Sequence, residues 1–317
     1  MADLRDSRTP LIAAFTAVYL IWGSTYLAIR FAIETMPPFT MAGVRFVVAG
    51  GGLYAWLRFR GVGRPKPIHW RTAFVVGGLM LLGGNGGVVW AELSVPSGLA
   101  ALVVATVPLW MVLLVWLSGR GRPSVGVVVG LVVGFGGVAW LIGPERIAGG
   151  ERIEPIGALV LVSAALAWAM GSLYFREAPH HTSQPLATAM SMLAGGALLL
   201  ALAGATGEYA RLDLSGVSLK SWIAFWYLVL FGALVGLSAY LWLMRTTTPA
   251  RAATYAYVNP VVAVVLGWLL AGEPLNPRVM IAAGVIVGAV ALIVTGPGGV
   301  SRDRVRHGRA ATDPGAP

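Results

Sequence analysis

The chain has 317 residues, of which 57% are hydrophobic and 11% charged, and it carries a formal net charge of +10. A soluble domain carries about a quarter charged residues, so a soluble globular fold is excluded and an integral membrane protein is implied. The absence of cysteine removes disulfides, a thiolate nucleophile and cysteine metal ligands.

Taken in chain order, Arg5 and Arg8 precede an apolar run too long for a signal-peptide core and without a small-residue cleavage site, so it reads as a retained first span. A span needs about 20 apolar residues. Ten windows qualify, at roughly 11–33, 38–59, 70–92, 96–118, 122–142, 155–176, 184–206, 219–243, 248–271 and 276–296. Short connections between them are marked by Pro37-Pro38, Pro65, Pro67, Pro123, Pro144, Pro179 and Pro277. The tail 297–317 is rich in Gly, Pro and Arg and reads as disordered on the membrane surface. With the N-terminus inside, 16 Lys and Arg fall on the cytoplasmic side and 5 on the other, leaving Arg30 and Arg45 within spans. Both termini are therefore expected in the cytoplasm, and loop orientation accounts for the positive charge without a nucleic-acid partner.

The stretch from Val95 to Ser124 is echoed from Thr248 onward. Pro96 answers Pro249, Ala100-Ala101 answers Ala252-Ala253, Pro108 answers Pro260, and Trp116 answers Trp268. Downstream, Pro123, Gly130 and Gly134 answer Pro277, Gly284 and Gly288. Gly23-Ser24-Thr25-Tyr26 in the first span likewise matches Gly171-Ser172-Leu173-Tyr174 in the sixth. Five spans per copy is an odd number, so the copies enter the membrane in opposite directions. The expected fold is all-α, with ten transmembrane helices as two inverted five-helix repeats, 11–148 and 149–296, after a tail of residues 1–10. Such a repeat places a binding site near the midplane between its halves.

The segments YLIWGSTYLAIRFAIETMPPFTMAGVRF, VPSGLAALVVATVPLW and ATYAYVNPVVAVVLGWLLAGEPL resemble the EamA-type branch of the drug/metabolite transporter superfamily, over roughly residues 11–296. The resemblance implies two inverted five-helix repeats, a bacterial inner-membrane location, and export of amino acids or other metabolites. One departure stands out. Small multidrug transporters of the wider superfamily bury a carboxylate in their first helix, whereas this first span offers Trp22, Ser24 and Tyr26, and its acid, Glu34, lies at the outer end.

Hydrolase, nucleotide-binding and metalloprotease motifs are absent, so no catalytic role, cofactor or metal is expected. His180-His181 could hold a metal, but adjacent side chains face apart and a solvated loop pair is the commoner arrangement. Arg45 either snorkels outward, pairs with Glu34 or Glu92, or docks a substrate carboxylate, since a charge at the centre of a span costs about 2.5–3.5 kcal/mol. Arg30 is expected to snorkel. Glu34, Glu92 and Glu273 fall at outer span ends, with Glu273 read as a local cap. Most tryptophans sit towards span ends, but Trp22, Trp110 and Trp168 lie near centres. Trp22/Tyr26, Trp168/Ser172 and Tyr255/Asn259 are four-residue pairs on helical faces, and Asn85 adds a polar group inside Gly83-Gly84-Asn85-Gly86-Gly87. Singly, each of these is more commonly a packing or interhelical hydrogen-bonding residue. Together with Ser24 they outline a cavity of aromatic walls and neutral hydrogen-bonding groups, flanked by bends at Pro108 and Pro260. The glycine pairs of spans 5 and 10 suit close helix packing and leave a homodimer open.

The expected function is a secondary transporter that exports amino acids or related small amphipathic metabolites by alternating access. Multidrug or quaternary-cation efflux and, less readily, a permeation pore are the alternatives. Its partners are a small-molecule substrate and the lipid bilayer.

Overall fold

The computed structural model describes residues 8–119, 125–142, 154–273, 275 and 277–295. The tail 297–317, the boundary near 148 and residues 1–7 lie outside them. Every regular element among the described residues is helical, without a strand. In chain order these form α1 (Thr9–Ala32), α2 (Pro38–Phe59), α3 (Pro67–Ala91), α4 (Ser97–Leu117) and α5 (Val125–Ile142). There follow α6 (Pro155–Glu177), α7 (Gln184–Ala205), α8 (Leu219–Thr246), α9 (Tyr255–Ala271) and α10 (Pro277–Thr295). Six of them, α1, α3, α4, α6, α7 and α8, are long and apolar enough to cross a membrane, and α5, α9 and α10 contain shorter apolar helices. The exposed side chains are themselves apolar, among them Val132, Leu159, Ile223 and Leu269, as a lipid-facing surface requires.

Proline starts many of these helices because the first turn has no use for its missing N–H; Pro38, Pro67, Pro155 and Pro277 all take that place. Ten-residue π-helical stretches, Gly77–Gly86 and Leu228–Leu237, widen α3 and α8, and a shorter one, Ala17–Ile21, lies in α1. Such bulges re-aim side chains and recur at functional sites.

Two breaks differ from the expected kinks. The first interrupts α4 at Ala105-Thr106, where the Thr106 hydroxyl donates to the Val103 carbonyl at 2.7 Å. The second separates the turn Pro249–Ala252 from α9 at Ala253-Thr254, where Thr254 donates to the Arg251 carbonyl at 2.6 Å. Both fall ahead of the expected prolines. Pro108 is the second residue of the resumed helix, and Pro260 lies inside α9.

α2 packs along α7, α4 along α9 and α5 along α10. α3 lies on α6 and α7, and α8 correspondingly on α1 and α2; α4 also meets α6 as α9 meets α1. Lipid offers no hydrophobic drive between helices, so close approach carries the packing. A Cβ on Gly50 would stand 2.8 Å from the Ala189 carbonyl oxygen, and one on Gly196 would stand 2.9 Å from the Val47 nitrogen, so α2 and α7 touch backbone to backbone. The glycine pairs of α5 and α10 behave otherwise. Gly134 packs on Leu109, and Gly137 meets Val285 and Ile286, whereas a Cβ on Gly284 or Gly288 would meet nothing within 4 Å.

Candidate functional site

A cavity of about 80 Å³ lies among α1, α2, α3, α4, α6, α8 and α9. On the helical period, α1 presents Trp22, Thr25, Tyr26 and Ile29 to it, and α3 presents Leu81, Gly84, Asn85 and Val88 by the same spacing. α2 adds Arg45 and Phe46, α6 adds Ala164 and Trp168, and α9 adds Tyr255 and Asn259. Val104 of α4 and Gly232 and Leu237 of α8 complete the lining. One water needs roughly 10–15 Å³ of such space, so the cavity has room for several waters or the polar end of a small metabolite.

Its polar pole is Arg45, 3% exposed. The Arg45 Nη2 donates to the Asn85 side-chain oxygen at 2.5 Å, while its Nε has no partner. Neither Glu34 nor Glu92 pairs with it directly. Glu34 forms an ion pair with Lys220, with Nζ donating to Oε1 at 2.7 Å. Arg30 does not merely snorkel, because its Nη1 donates to the Glu92 backbone carbonyl at 2.7 Å. The Glu92 side chain is 0% exposed, and neither carboxylate oxygen has a hydrogen-bond partner. Its position at the end of α3 is as expected; its complete enclosure is not.

The opposite wall is aromatic. Trp22 lies 5.4 Å from Trp168, 5.0 Å from Tyr240 and 5.6 Å from Tyr255 between ring centroids. Tyr240 closes the group at 5.7 Å from Trp168 and 5.6 Å from Tyr255. Edge-to-face contacts such as Trp22–Trp168 add about 0.5–1.5 kcal/mol each beyond burial. The Trp22 indole N–H donates to the Gly232 carbonyl at 3.2 Å, across a surface that glycine keeps low. With its side-chain amide turned so that the nitrogen faces them, Asn259 donates to the carbonyls of Tyr19 at 3.0 Å and Tyr255 at 3.3 Å.

Two of the expected residues point elsewhere. The Ser24 hydroxyl donates to the Ile21 carbonyl at 2.7 Å and meets the Tyr227 hydroxyl at 2.6 Å. Ser172 donates to the Trp168 carbonyl at 2.7 Å and meets the Tyr240 hydroxyl at 2.9 Å. Neither lines the cavity. Tyr240 comes to Trp22 only through packing between helices. Thr25, three residues after Trp22, and Phe46, beside Arg45, join the lining by local spacing, although none of the three was singled out from sequence. His180 stacks on Phe175 and His181 accepts from the Ser183 N–H at 3.0 Å. No cluster of three metal-ligating side chains forms among the described residues.

Beyond the polar pole, the two halves are stitched together by carboxylates. Glu208 accepts from the N–H of Phe39 at 3.1 Å and of Thr40 at 2.7 Å, capping α2. Glu273, expected to cap locally, instead caps α4 across the molecule. Ser221 donates to the Phe31 carbonyl at 2.7 Å and accepts from Thr35 at 2.8 Å.

Comparison with known proteins places this geometry. The model of the EamA-like transporter family matches twice, at residues 9–143 and 155–295. The chain is 41% identical over 289 residues to the uncharacterized inner membrane transporter YedA of Escherichia coli, covering 90% of this chain and 91% of that one. It is 26% identical to the probable amino-acid metabolite efflux pump of Salmonella typhimurium, covering 85% of this chain and 91% of the other. A crystal structure at 23% identity shares the fold, with a TM-score of 0.63 over 90% of this chain and 96% of that chain.

Proposed function

The chain belongs to the EamA-like transporter family, and from that premise we propose that it carries amino acids or related small amphipathic metabolites outward across the bacterial cytoplasmic membrane by alternating access. The observation that supports this reading most is the cavity itself: one buried arginine with an unpartnered Nε at one pole and an aromatic wall at the other. A substrate carboxylate can satisfy Arg45, and its apolar part can lie on Trp22, Trp168 and Tyr255. The name of the Salmonella relative agrees with that substrate class.

The architecture we infer for this cycle is ten spanning helices in two inverted five-helix repeats. The family model matches once in each half. Exchanging each helix for the one five later turns the α3–α6 contact into α8–α1, α4–α6 into α9–α1 and α3–α7 into α8–α2. The π-helical stretches of α3 and α8, and the breaks before Val107 and Tyr255, fall at matched places. Inverted repeats of this kind alternate by rocking one half against the other around a midplane site.

A second reading, efflux of quaternary cations, draws on the ring cluster around Trp22, which could hold an ammonium through cation–π contact. Arg45 opposes it, because no carboxylate lines the cavity to compensate a second cation.

Counterflow in proteoliposomes separates these readings. L-phenylalanine inside should accelerate entry of labelled L-phenylalanine, and the amide, which lacks the carboxylate, should do so much less. Arg45→Gln should weaken the acid by about tenfold, one lost charge-assisted contact, and leave the amide nearly unaffected. Exchange of a quaternary amine alone, indifferent to Arg45→Gln, would overturn the proposal. Rapid passive flux without trans-acceleration would indicate a pore.

A further inference from the structure

The sequence placed every membrane carboxylate at a span end and so offered no proton-binding group for a transport cycle. The structure supplies one. Glu92 is 0% exposed and neither oxygen of its carboxyl group is hydrogen-bonded. An ionised carboxylate held that way loses its hydration without a hydrogen bond to replace it, with only the more distant charges of Arg30 and Arg45 to offset the loss, and the neutral acid is less costly. Arg45 is near enough for its charge to act on Glu92, with its Nη2 on Asn85 and its Nε without a partner. Asn85 lies in the π-helical stretch of α3, and Glu92, seven positions on, follows the last residue of that helix. The other charged or titratable groups around Glu92 are Arg30 and Tyr26 of α1 and Glu273 beyond α9. Arg30 reaches Glu92 only through the backbone carbonyl.

We propose that Glu92 is the proton-carrying residue of this transporter and competes with the substrate carboxylate for Arg45. As the neutral acid, Glu92 leaves Arg45 to the substrate. When the substrate departs, the Glu92 O–H bond breaks, its proton passes to water at the open face, and the carboxylate takes Arg45. The loaded form holds one proton and one substrate molecule more than the empty form; for a substrate anion the buried net charge is the same in both, and for a zwitterion such as L-phenylalanine the loaded form is one positive charge higher. Substrate and proton therefore move in the same direction. Outward flux is then driven by accumulation of the metabolite, and the inward proton gradient opposes it.

This inference rests on the reading of Arg45 as the carboxylate-docking group, so two experiments are needed. Infrared difference spectroscopy of the reconstituted protein needs no substrate. Wild type in neutral buffer should show a buried carboxylic-acid carbonyl band that is missing in Glu92→Gln, a variant with the shape of the neutral acid. Glu92→Asp should return a shifted band. Absence of a Glu92-dependent band means that the residue is ionised and overturns the proposal. The second experiment loads proteoliposomes with a pH-sensitive dye and imposes an L-phenylalanine gradient. Wild type should move protons with the amino acid. In Glu92→Gln that proton movement should fall at least about tenfold, while residual exchange loses its pH dependence. Amino-acid flux in wild type without proton movement, or proton movement persisting in Glu92→Gln, overturns the proposal. Absence of L-phenylalanine exchange in wild type instead strikes the substrate class, while the infrared result still decides the role of Glu92.

Discussion

Glu273 and Ser97 are 176 positions apart, and the carboxylate of one accepts from both the backbone N–H and the hydroxyl of the other at 2.8 Å. The second Glu273 oxygen accepts from the Gly98 N–H at 3.0 Å. The two donors at the start of α4 are thus satisfied by a chain segment from the other half. A carboxylate here also meets the positive end of the helix dipole. Glu208 does the same for α2, and adds the Thr40 hydroxyl at 2.8 Å.

These caps should stabilise the fold measurably. An N-cap contributes about 1 kcal/mol, and hydrogen bonds to a charged partner about 1.5–3 kcal/mol. Glu273→Ala and Glu208→Ala should each lower thermal stability in detergent by about 1–3 kcal/mol, and the pair should be close to additive because they serve different helices. Unfolding midpoints identical to wild type would show that water replaces both carboxylates without loss.

Much of the cavity was legible from spacing, and the exceptions are physical. Trp22 with Tyr26, and Tyr255 with Asn259, lie four apart, so a helix must present each pair on one face. Ser24 and Ser172 do not line the cavity, because a short hydroxyl on a helix can turn back to the carbonyl three or four residues earlier, and both do. For Glu92, position along a span gives depth but not cover. Its enclosure comes from neighbouring helices, and Arg30 is the visible part of that cover. Tyr240 and the Glu273–Ser97 cap depend on packing between halves, which no local period encodes.

The aromatic wall depends on two small residues of α8. A Cβ on Gly236 would stand 2.3 Å from the Trp22 indole nitrogen, and one on Gly232 3.1 Å from the Thr25 methyl group. Gly236→Ala should therefore displace Trp22 from the Gly232 carbonyl, cost about 1–3 kcal/mol by overpacking, and reduce exchange. Gly52→Ala on α2 is the control, since its Cβ would meet nothing within 4 Å. There, a helix-favouring side chain should be neutral or stabilising by about 0.5–1 kcal/mol. Equal thermal stability for the two variants would dissociate the glycine from the ring cluster.

Orientation can be tested in a chain that has no native cysteine. Gly63 lies in the exposed, arginine-flanked connection between α2 and α3, and Ser215 in the exposed connection between α7 and α8. With both termini cytoplasmic, Ser215→Cys should react with a membrane-impermeant maleimide in intact cells, and Gly63→Cys only after lysis. The reverse pattern would invert the assigned topology and with it the direction of export.

The helix breaks lead to the last prediction. At Ala105-Thr106 and Ala253-Thr254 the helices restart, and the threonine of each break turns its hydroxyl back onto a carbonyl three residues earlier. Pro108 cannot supply the N–H that a continuous helix would direct to the Val104 carbonyl, and Pro260 likewise leaves the Ala256 carbonyl without its helical donor. Thr254 is also held from α1, by the Tyr19 hydroxyl at 2.6 Å. We propose that a segment built this way acts as a hinge, because proline leaves a backbone carbonyl without its helical donor and the threonine holds another from its side chain. Pro108→Ala and Pro260→Ala each restore a donor and favour the straight form. Exchange in proteoliposomes should slow by about tenfold, a barrier change of about 1.4 kcal/mol, while stability changes by less than about 1 kcal/mol. If both variants exchange substrate at wild-type rates, the prolines only fit the packing and the motion lies elsewhere.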